Sequence, residues 1–273
     1  MAVPLVTQFV AAPKLGLDSM RAANFHNRRV LRDVILDCNC CGSRQRPIFS
    51  FLPLVHFERL GTSPLRDNIM CAQCHSSQRT RALLAAVLAT LDARPGSTPT
   101  ILDLDDAWSG GAVLSSRGMR QATTFDPARP WGEVDAAGVR NEDLAALTFE
   151  DEQFDVVVSA EVHEHIEDTM AAFAEVHRVL RPGGTYVFTL PFDPTLAVTK
   201  LLAVGTEFGP LWTGFPQLHR DPRVRGGITS YWLFGQDLAP RLAEIGFEAQ
   251  VDEVRPPGSP PVPVHVFSAT KVG

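Results

Sequence analysis

All five cysteines of this 273-residue chain fall between positions 38 and 74. They stand as Cys38-Asn39-Cys40-Cys41 and Cys71-Ala72-Gln73-Cys74, two C-x2-C pairs separated by 29 residues. This pattern restricts folding more tightly than any other in the chain. Each pair presents two thiolates from a tight knuckle, and two pairs together complete a tetrahedron around zinc. Cys38, Cys41, Cys71 and Cys74 are the expected ligands. Gly42 follows the first pair, where a knuckle calls for a permissive backbone. Cys40 is left as a substitute ligand or a free thiol, and His75 as a neighbour of the centre or a surface residue. Four thiolates leave no position open for water or substrate. The zinc is therefore expected to be structural, folding a segment with little core of its own. Reduced cysteines without metal would leave the paired spacing unexplained. A disulfide framework would require secretion, and the stretch from Met1 to Arg29 has no basic start ahead of an apolar run.

From Arg79 onward the pattern changes. Leu83, Leu84, Val87, Leu88 and Leu91 recur at helical spacing, and Ala93 to Pro99 reads as a linker. Apolar runs follow at TILDLD, QATTFD, FDVVVSA and TYVFTLP, with FEAQVDEV and HVFSATK as closing strands. Between them, Met170, Phe173, Val176 and Leu180 mark one face of a helix that Pro182-Gly183-Gly184 is expected to stop. Leu238, Leu242 and Ile245 mark a second. Hydrophobic residues make up 45% of the chain, enough for a sizeable core. The net charge of −6 gives no general attraction to nucleic acid or acidic membrane. The local arginine clusters (Arg28, Arg29, Arg32; Arg44, Arg46; Arg79, Arg81) read as a solvated basic face. The longest apolar run, Ala82 to Leu91, is too short to span a bilayer. A soluble, cytoplasmic protein is expected.

Strands alternating with helices imply a parallel sheet covered on both faces. The expected fold class is α/β, a Rossmann-like, doubly wound, mostly parallel sheet with an N-terminal zinc-ribbon subdomain. The expected division is an N-terminal extension over 1–37, a four-cysteine ribbon over 38–78, and the sheet domain over 79–273 with a cap segment at about 192–234. Ligands of such sheets sit at the carboxyl ends of the strands. Those ends carry Asp103 to Asp106, Asp126, Ser159 to Glu161, and Pro191 to Asp193.

The stretch FEDEQFDVVVSAEVHEHIEDTMAAFAEVHRVLRPGGTYVFTLPF, Phe149 to Phe192, closely resembles the central segment of class I S-adenosylmethionine-dependent methyltransferases of the type 11 kind. GVRNEDLAAL, Gly138 to Leu147, and Phe215 to Phe247 resemble a sub-group of them, some of which carry cysteine knuckles ahead of the domain. The resemblance implies S-adenosylmethionine as cofactor. It implies Asp126 as the acid on the ribose hydroxyls, although Asp126 also suits a turn before Pro127. It places Asn141, Glu142 and Asp143 by the adenine amine and Leu144 on the ring, against the alternative of a polar loop. Ser159 and Glu161 would face the methionine end. The family's glycine-rich loop is altered: Asp105 stands where its first glycine would fall, Trp108 crowds the turn, and Gly110 and Gly111 arrive late. Asp103, Asp105 and Gly110 are the expected cofactor contacts there, since a carboxylate repels phosphate but suits an amino group.

Methyl transfer needs an aligned nucleophile, exclusion of water and, for a hydroxyl or amine, a base. His219 is the first candidate for that base, with Asp221 beside it in LHRDP and His165 after the fourth strand. His165 is equally suited to packing, and His177 to the core. The aromatics Phe208, Trp212, Phe215, Tyr231, Trp232 and Phe234 suit either an acceptor cavity or the core of the cap. The reading is methyl transfer to a small-molecule acceptor, a sugar or secondary metabolite, at oxygen or nitrogen. The altered loop motivates a second reading, a repurposed reaction on the same fold such as a cyclase or decarboxylase. A third is a non-catalytic module in which the ribbon contacts a protein or nucleic acid.

Overall fold

A computed structural model describes residues 29, 31–49, 65–94, 96, 98–214, 216–221, 224–256, 258–259, 262 and 264–273, with the backbone alone at 65, 220, 221 and 224–226. Most of the expected N-terminal extension with Arg28, the middle of the interval between the cysteine pairs, Phe215 and the side chain of Asp221 lie outside the described residues.

Seven runs form one sheet: β1 (Thr100–Asp103), β2 (Met119–Thr124), β3 (Arg140–Asn141), β4 (Phe154–Ala160), β5 (Leu180–Thr189), β6 (Phe247–Val254) and β7 (Val264–Lys271). Their spatial order is 6-7-5-4-1-2-3. β1 pairs in parallel with β2 and β4, β2 with β3, and β4 with β5. β7 runs antiparallel to both β5 and β6. This is the doubly wound, Rossmann-like α/β arrangement. The strand order reverses between β1 and β4, and the crevice outside those strand ends is where such sheets take ligands.

The core lies on both faces, as strand alternation dictates. Leu102, Val157, Tyr186 and Phe188 point to one face, where α3 (Thr169–Val179) and α4 (Leu238–Ile245) add Phe173, Val176, Leu238 and Leu242. Ile101, Val156, Val158 and Val187 point to the other, covered by Leu83, Leu84 and Val87 of α1 (Gln78–Asp92) and Leu114 of α2 (Gly111–Arg117). Ser77 caps α1 by accepting from the Thr80 amide, and Asp168 caps α3 by accepting from Ala171. None of the helices among the described residues is long and apolar enough to cross a membrane.

One boundary differs from expectation. α3 ends at Val179, and Leu180 already pairs with Phe154 as the first residue of β5. Pro182-Gly183-Gly184 is not a helix stop but an irregularity in the entering strand, where the register jumps between Phe154 and Val156. Gly183 takes φ +72° there, which a side chain would resist.

Candidate active site and four-cysteine centre

The two cysteine pairs form matching knuckles. The Gly42 amide donates to the Cys38 carbonyl at 2.8 Å, and the His75 amide to the Cys71 carbonyl at 3.0 Å. Both closing residues are left-handed, Gly42 at φ +71° and His75 at φ +57°. His75 is thus the second knuckle's counterpart of Gly42. The Sγ atoms of Cys38, Cys41, Cys71 and Cys74 all lie within 4.8 Å of one another. Cys38–Cys74 and Cys41–Cys71 are each 3.7 Å. A tetrahedron of zinc–sulfur bonds of ~2.3 Å has edges of ~3.8 Å, so the donor set fits zinc. Cys40 instead packs against hydrophobic residues of both neighbouring clusters, and burial pushes its thiol up to about 12.

This centre is braced by the sheet domain's first helix. Arg81 of α1 is fully buried; its guanidinium donates to the Ser76 carbonyl at 2.6 Å, and Asn39 donates to the Arg81 carbonyl at 2.9 Å.

The loop after β1 is closed on itself. Asp103 is buried, and both its oxygens accept from the Trp108 indole, at 3.0 and 2.9 Å. Arg120 Nε adds an ion pair at 2.7 Å. Burial still outweighs these partners and lifts the Asp103 carboxyl to about 6. Asp105 turns back to accept from the Ala107 amide at 3.0 Å. The late glycines make room for this lock: a Cβ at Gly110 would collide with the Trp108 ring, and one at Gly111 would come within 2.7 Å of the Arg120 guanidinium.

At the ends of β2 and β3, Asp126 and Asn141 face each other. Asn141 is fully buried; its Oδ1 accepts from the Asp126 amide at 2.8 Å, and its Nδ2 donates to the carbonyls of Asp126, Arg129 and Pro130. Its whole amide thus shapes the loop that carries Asp126. Asp126 Oδ1 accepts from Ala128, and Asp143 Oδ1 from Ala145 at 2.9 Å. Leu144 belongs to the main core cluster. Glu142 is held by Arg140, Thr148 and the backbone.

The end of β4 gathers a cluster of buried polar and charged groups. Ser159 bonds Tyr186 Oη, which bonds His163 Nε2 at 2.7 Å, and His163 Nδ1 meets Thr169 at 3.1 Å. His163 stacks on Phe173 with ring centres 3.7 Å apart, and burial pushes its imidazole down to about 3. It is neutral and structural. Glu161 sits in the left-handed region at φ +56°, a strained conformation of the kind that clusters at functional sites. Its Oε2 pairs with Arg66 at 2.7 Å, while its Oε1 is buried without a hydrogen-bond partner. Arg66 arrives from the helical turn Leu65–Asn68 that leads into the second knuckle.

Beside it stand Glu164, His165 and His219. His219 comes from an antiparallel ribbon, Leu218–Asp221 with Val224–Thr229. The chain after this ribbon is tied to the sheet by Tyr231, whose amide donates to the Glu164 carbonyl, and by the Trp232 indole on the Ile166 carbonyl. His219 Nδ1 lies 3.2 Å and His165 Nε2 3.7 Å from Glu164 Oε1. Burial opposes the charged form of His219, but the contact with and charge of Glu164 outweigh it and hold His219 above its usual range. His177 packs edge-on against Phe247, away from this cluster. Of the cap aromatics, Phe234 is in the core and Phe208 is 92% exposed.

The structure therefore brings His165 and His219 together and leaves the Asp221 side chain undescribed. Sequence reasoning brought Glu164 toward the pocket with His163 and His165, after the fourth strand, but gave it no role, and it passed over Arg66. Glu164 had a signal, a carboxylate between two histidines directly after a buried strand. Arg66 had none, since its partner is 95 positions away.

The family model described as a methyltransferase domain matches residues 112–188. The chain is 28% identical over 141 residues to a sterol 24-C-methyltransferase of Eremothecium gossypii, covering 50% of this chain and 33% of that protein. It is 26% identical over 178 residues to a ubiquinone biosynthesis O-methyltransferase of Chelativorans sp., covering 61% and 64%. The chain thus spans about a third to under two thirds of the length of these relatives. Among solved structures it is similar to a 1,6-didemethyltoxoflavin-N1-methyltransferase of Burkholderia thailandensis, at 19% identity and TM-score 0.42 over 70% of this chain and 79% of that one. Residues 112–188, which match the methyltransferase-domain model, lie on this sheet, with a four-cysteine segment ahead of its first helix.

Proposed function

We propose that the chain binds S-adenosylmethionine across the carboxyl ends of β1 to β4 and directs its methyl group to an oxygen or nitrogen of a small-molecule acceptor, a sugar or secondary metabolite, beneath the cap. The observation that carries this reading is the methyltransferase-domain match, which runs from α2 to β5 and takes in β4 at the switch point of the sheet. The residues there suit such a ligand. Thr189 Oγ1 and Glu161 Oε1 are buried without hydrogen-bond partners at adjoining strand ends. Buried polar atoms of this kind call for a polar ligand or water.

The cofactor, when bound, supplies a methyl group on a sulfonium, open to in-line attack. The residues do the rest. Asp126 accepts from the ribose hydroxyls, with Asn141 fixing the loop behind it. Asp143 meets the adenine amine and Leu144 supports the ring. Asp103, Asp105 and Gly110 shape the turn above β1, and Ser159 and Glu161 border the methionine end. His219, His165 and Asp221 form the acceptor side, with His219 the first candidate to take the acceptor proton. Cys38, Cys41, Cys71 and Cys74 hold a structural zinc within a ribbon over 38–78, ahead of a catalytic domain over 79–273 capped by about 192–234. A cytoplasmic location suits the reduced thiolates.

One observation favours the repurposed reaction instead: Trp108 fills the space over the glycines and bonds the Asp103 carboxylate. Calorimetric titration of zinc-replete protein with S-adenosylmethionine and S-adenosylhomocysteine tests the first reading. Micromolar binding that Asp126→Ala weakens supports it. No binding at millimolar ligand by folded protein overturns it.

A further inference from the structure

We propose that Glu164, His165 and His219 form a binding site for one divalent transition-metal cation, separate from the four-cysteine centre. One ligand atom from each of the three lies within 4.8 Å of the other two. Glu164 is fully buried; its Oε1 faces His219 Nδ1 at 3.2 Å and His165 Nε2 at 3.7 Å, and neither oxygen makes a well-formed hydrogen bond. A buried carboxylate met only by these two imidazoles is incompletely satisfied, and a cation shared by all three side chains completes it.

The surrounding charges leave this role open. Arg66 is engaged by Glu161 at 2.7 Å and by Asp67 at 3.1 Å; Arg79 is engaged by Asp67 at 2.7 Å. Glu161 and Asp67 both add negative potential felt at His219, and Arg66 opposes it. Among the described residues, the charged side chains in contact with Glu164 are the two histidines alone.

His165 is already set as a ligand. Its Nδ1 donates to the Thr229 carbonyl at 2.7 Å. That bond places the ring's lone pair on Nε2, the atom facing Glu164. A ligating histidine characteristically donates its other ring N–H to a carbonyl or carboxylate in this way. Two imidazoles and a carboxylate suit zinc, iron(II) or cobalt(II) better than magnesium or calcium, and three protein donors leave open positions. Within the proposed function, on which this use of the site rests, an open position takes an oxygen of the acceptor. His219 then serves as a ligand and not as the base.

The test is a titration with Co2+ of the full chain carrying one measured equivalent of zinc, the amount the four cysteines take, followed by visible absorption. The expected result is one equivalent bound with ligand-field bands and no sulfur-to-cobalt charge-transfer band. Glu164→Gln and His219→Asn should each weaken binding at least tenfold while the melting temperature stays near wild type. If Glu164→Gln misfolds, His165→Gln and the wild-type stoichiometry decide. No bound equivalent, a charge-transfer band placing cobalt on the cysteines, or undiminished binding by the variants overturns the proposal. S-adenosylhomocysteine binding is measured separately. Cobalt binding without it leaves the cation site standing and removes the methyltransferase reading. The reverse result does the opposite.

Discussion

Asp103 is a carboxylate clamped between an indole and a guanidinium, and the clamp has a pH signature. Its folded value of about 6 exceeds the ordinary carboxyl value of 3.8. The folded chain therefore keeps this proton to higher pH than the unfolded chain does. Between about pH 4 and 6 the unfolded state binds fewer protons, so stability falls as pH rises through that window, by about 3 kcal/mol for two units. Urea unfolding at pH 4 and pH 7 should show this loss in the wild type and its absence in Asp103→Asn; an unchanged slope would refute the assignment. At the end of β2, Asp126 and Asn141 should separate binding from positioning. Asp126→Ala is expected to weaken S-adenosylhomocysteine at least tenfold, about 1.4 kcal/mol, with little change in melting. Asn141→Ala should do both, because it strips a buried donor from three carbonyls, costing about 1–3 kcal/mol. Asp126 was legible as a polar residue at a strand end. The full commitment of Asn141 to its loop was not, because it depends on how residues 126–130 turn.

The element that delivers His219 depends on a glycine in its partner strand. Gly227 adopts φ +91°, and a Cβ there would come within 2.7 Å of the His219 carbonyl oxygen. Gly227→Ala should push the two strands apart, cost about 1–3 kcal/mol, and disrupt the His219–Glu164 contact. A drop in melting temperature with a shifted His219 imidazole resonance would bear this out; an unmoved resonance would not. Elsewhere the elements were largely legible. FDVVVSA is β4 and FEAQVDEV is β6, end to end, since long buried or alternating runs have one stable use. The exit of α3 was not. Pro and Gly signal a break equally well for a helix end and a strand irregularity, and only the pairing of Leu180 with Phe154 distinguishes them.

At the scale of the molecule, the four-cysteine centre and the sheet share residues. Asn39 and Arg81 join the knuckles to α1, and Arg66 joins the incoming segment to Glu161 at the end of β4. Stripping zinc with a chelator, or Cys71→Ser, should therefore lower the stability of the sheet as well as the ribbon. Calorimetry should show one transition at lower temperature, and S-adenosylhomocysteine affinity should fall with it. Two independent transitions, with affinity unchanged, would show the centre to be a detached appendage.

The sequence by itself determined the pairing of the cysteines into two knuckles, the alternation that makes a doubly wound sheet, and the strand ends where polar residues collect. These are local matters: spacing, period and turn chemistry act over a few residues. Tertiary structure alone decided that Glu164 would stand between His165 and His219, that Trp108 and Arg120 would close on Asp103, and that Arg66 would reach Glu161. Those contacts join residues from separate elements, and their energies arise only once burial has removed the water that would otherwise satisfy each group.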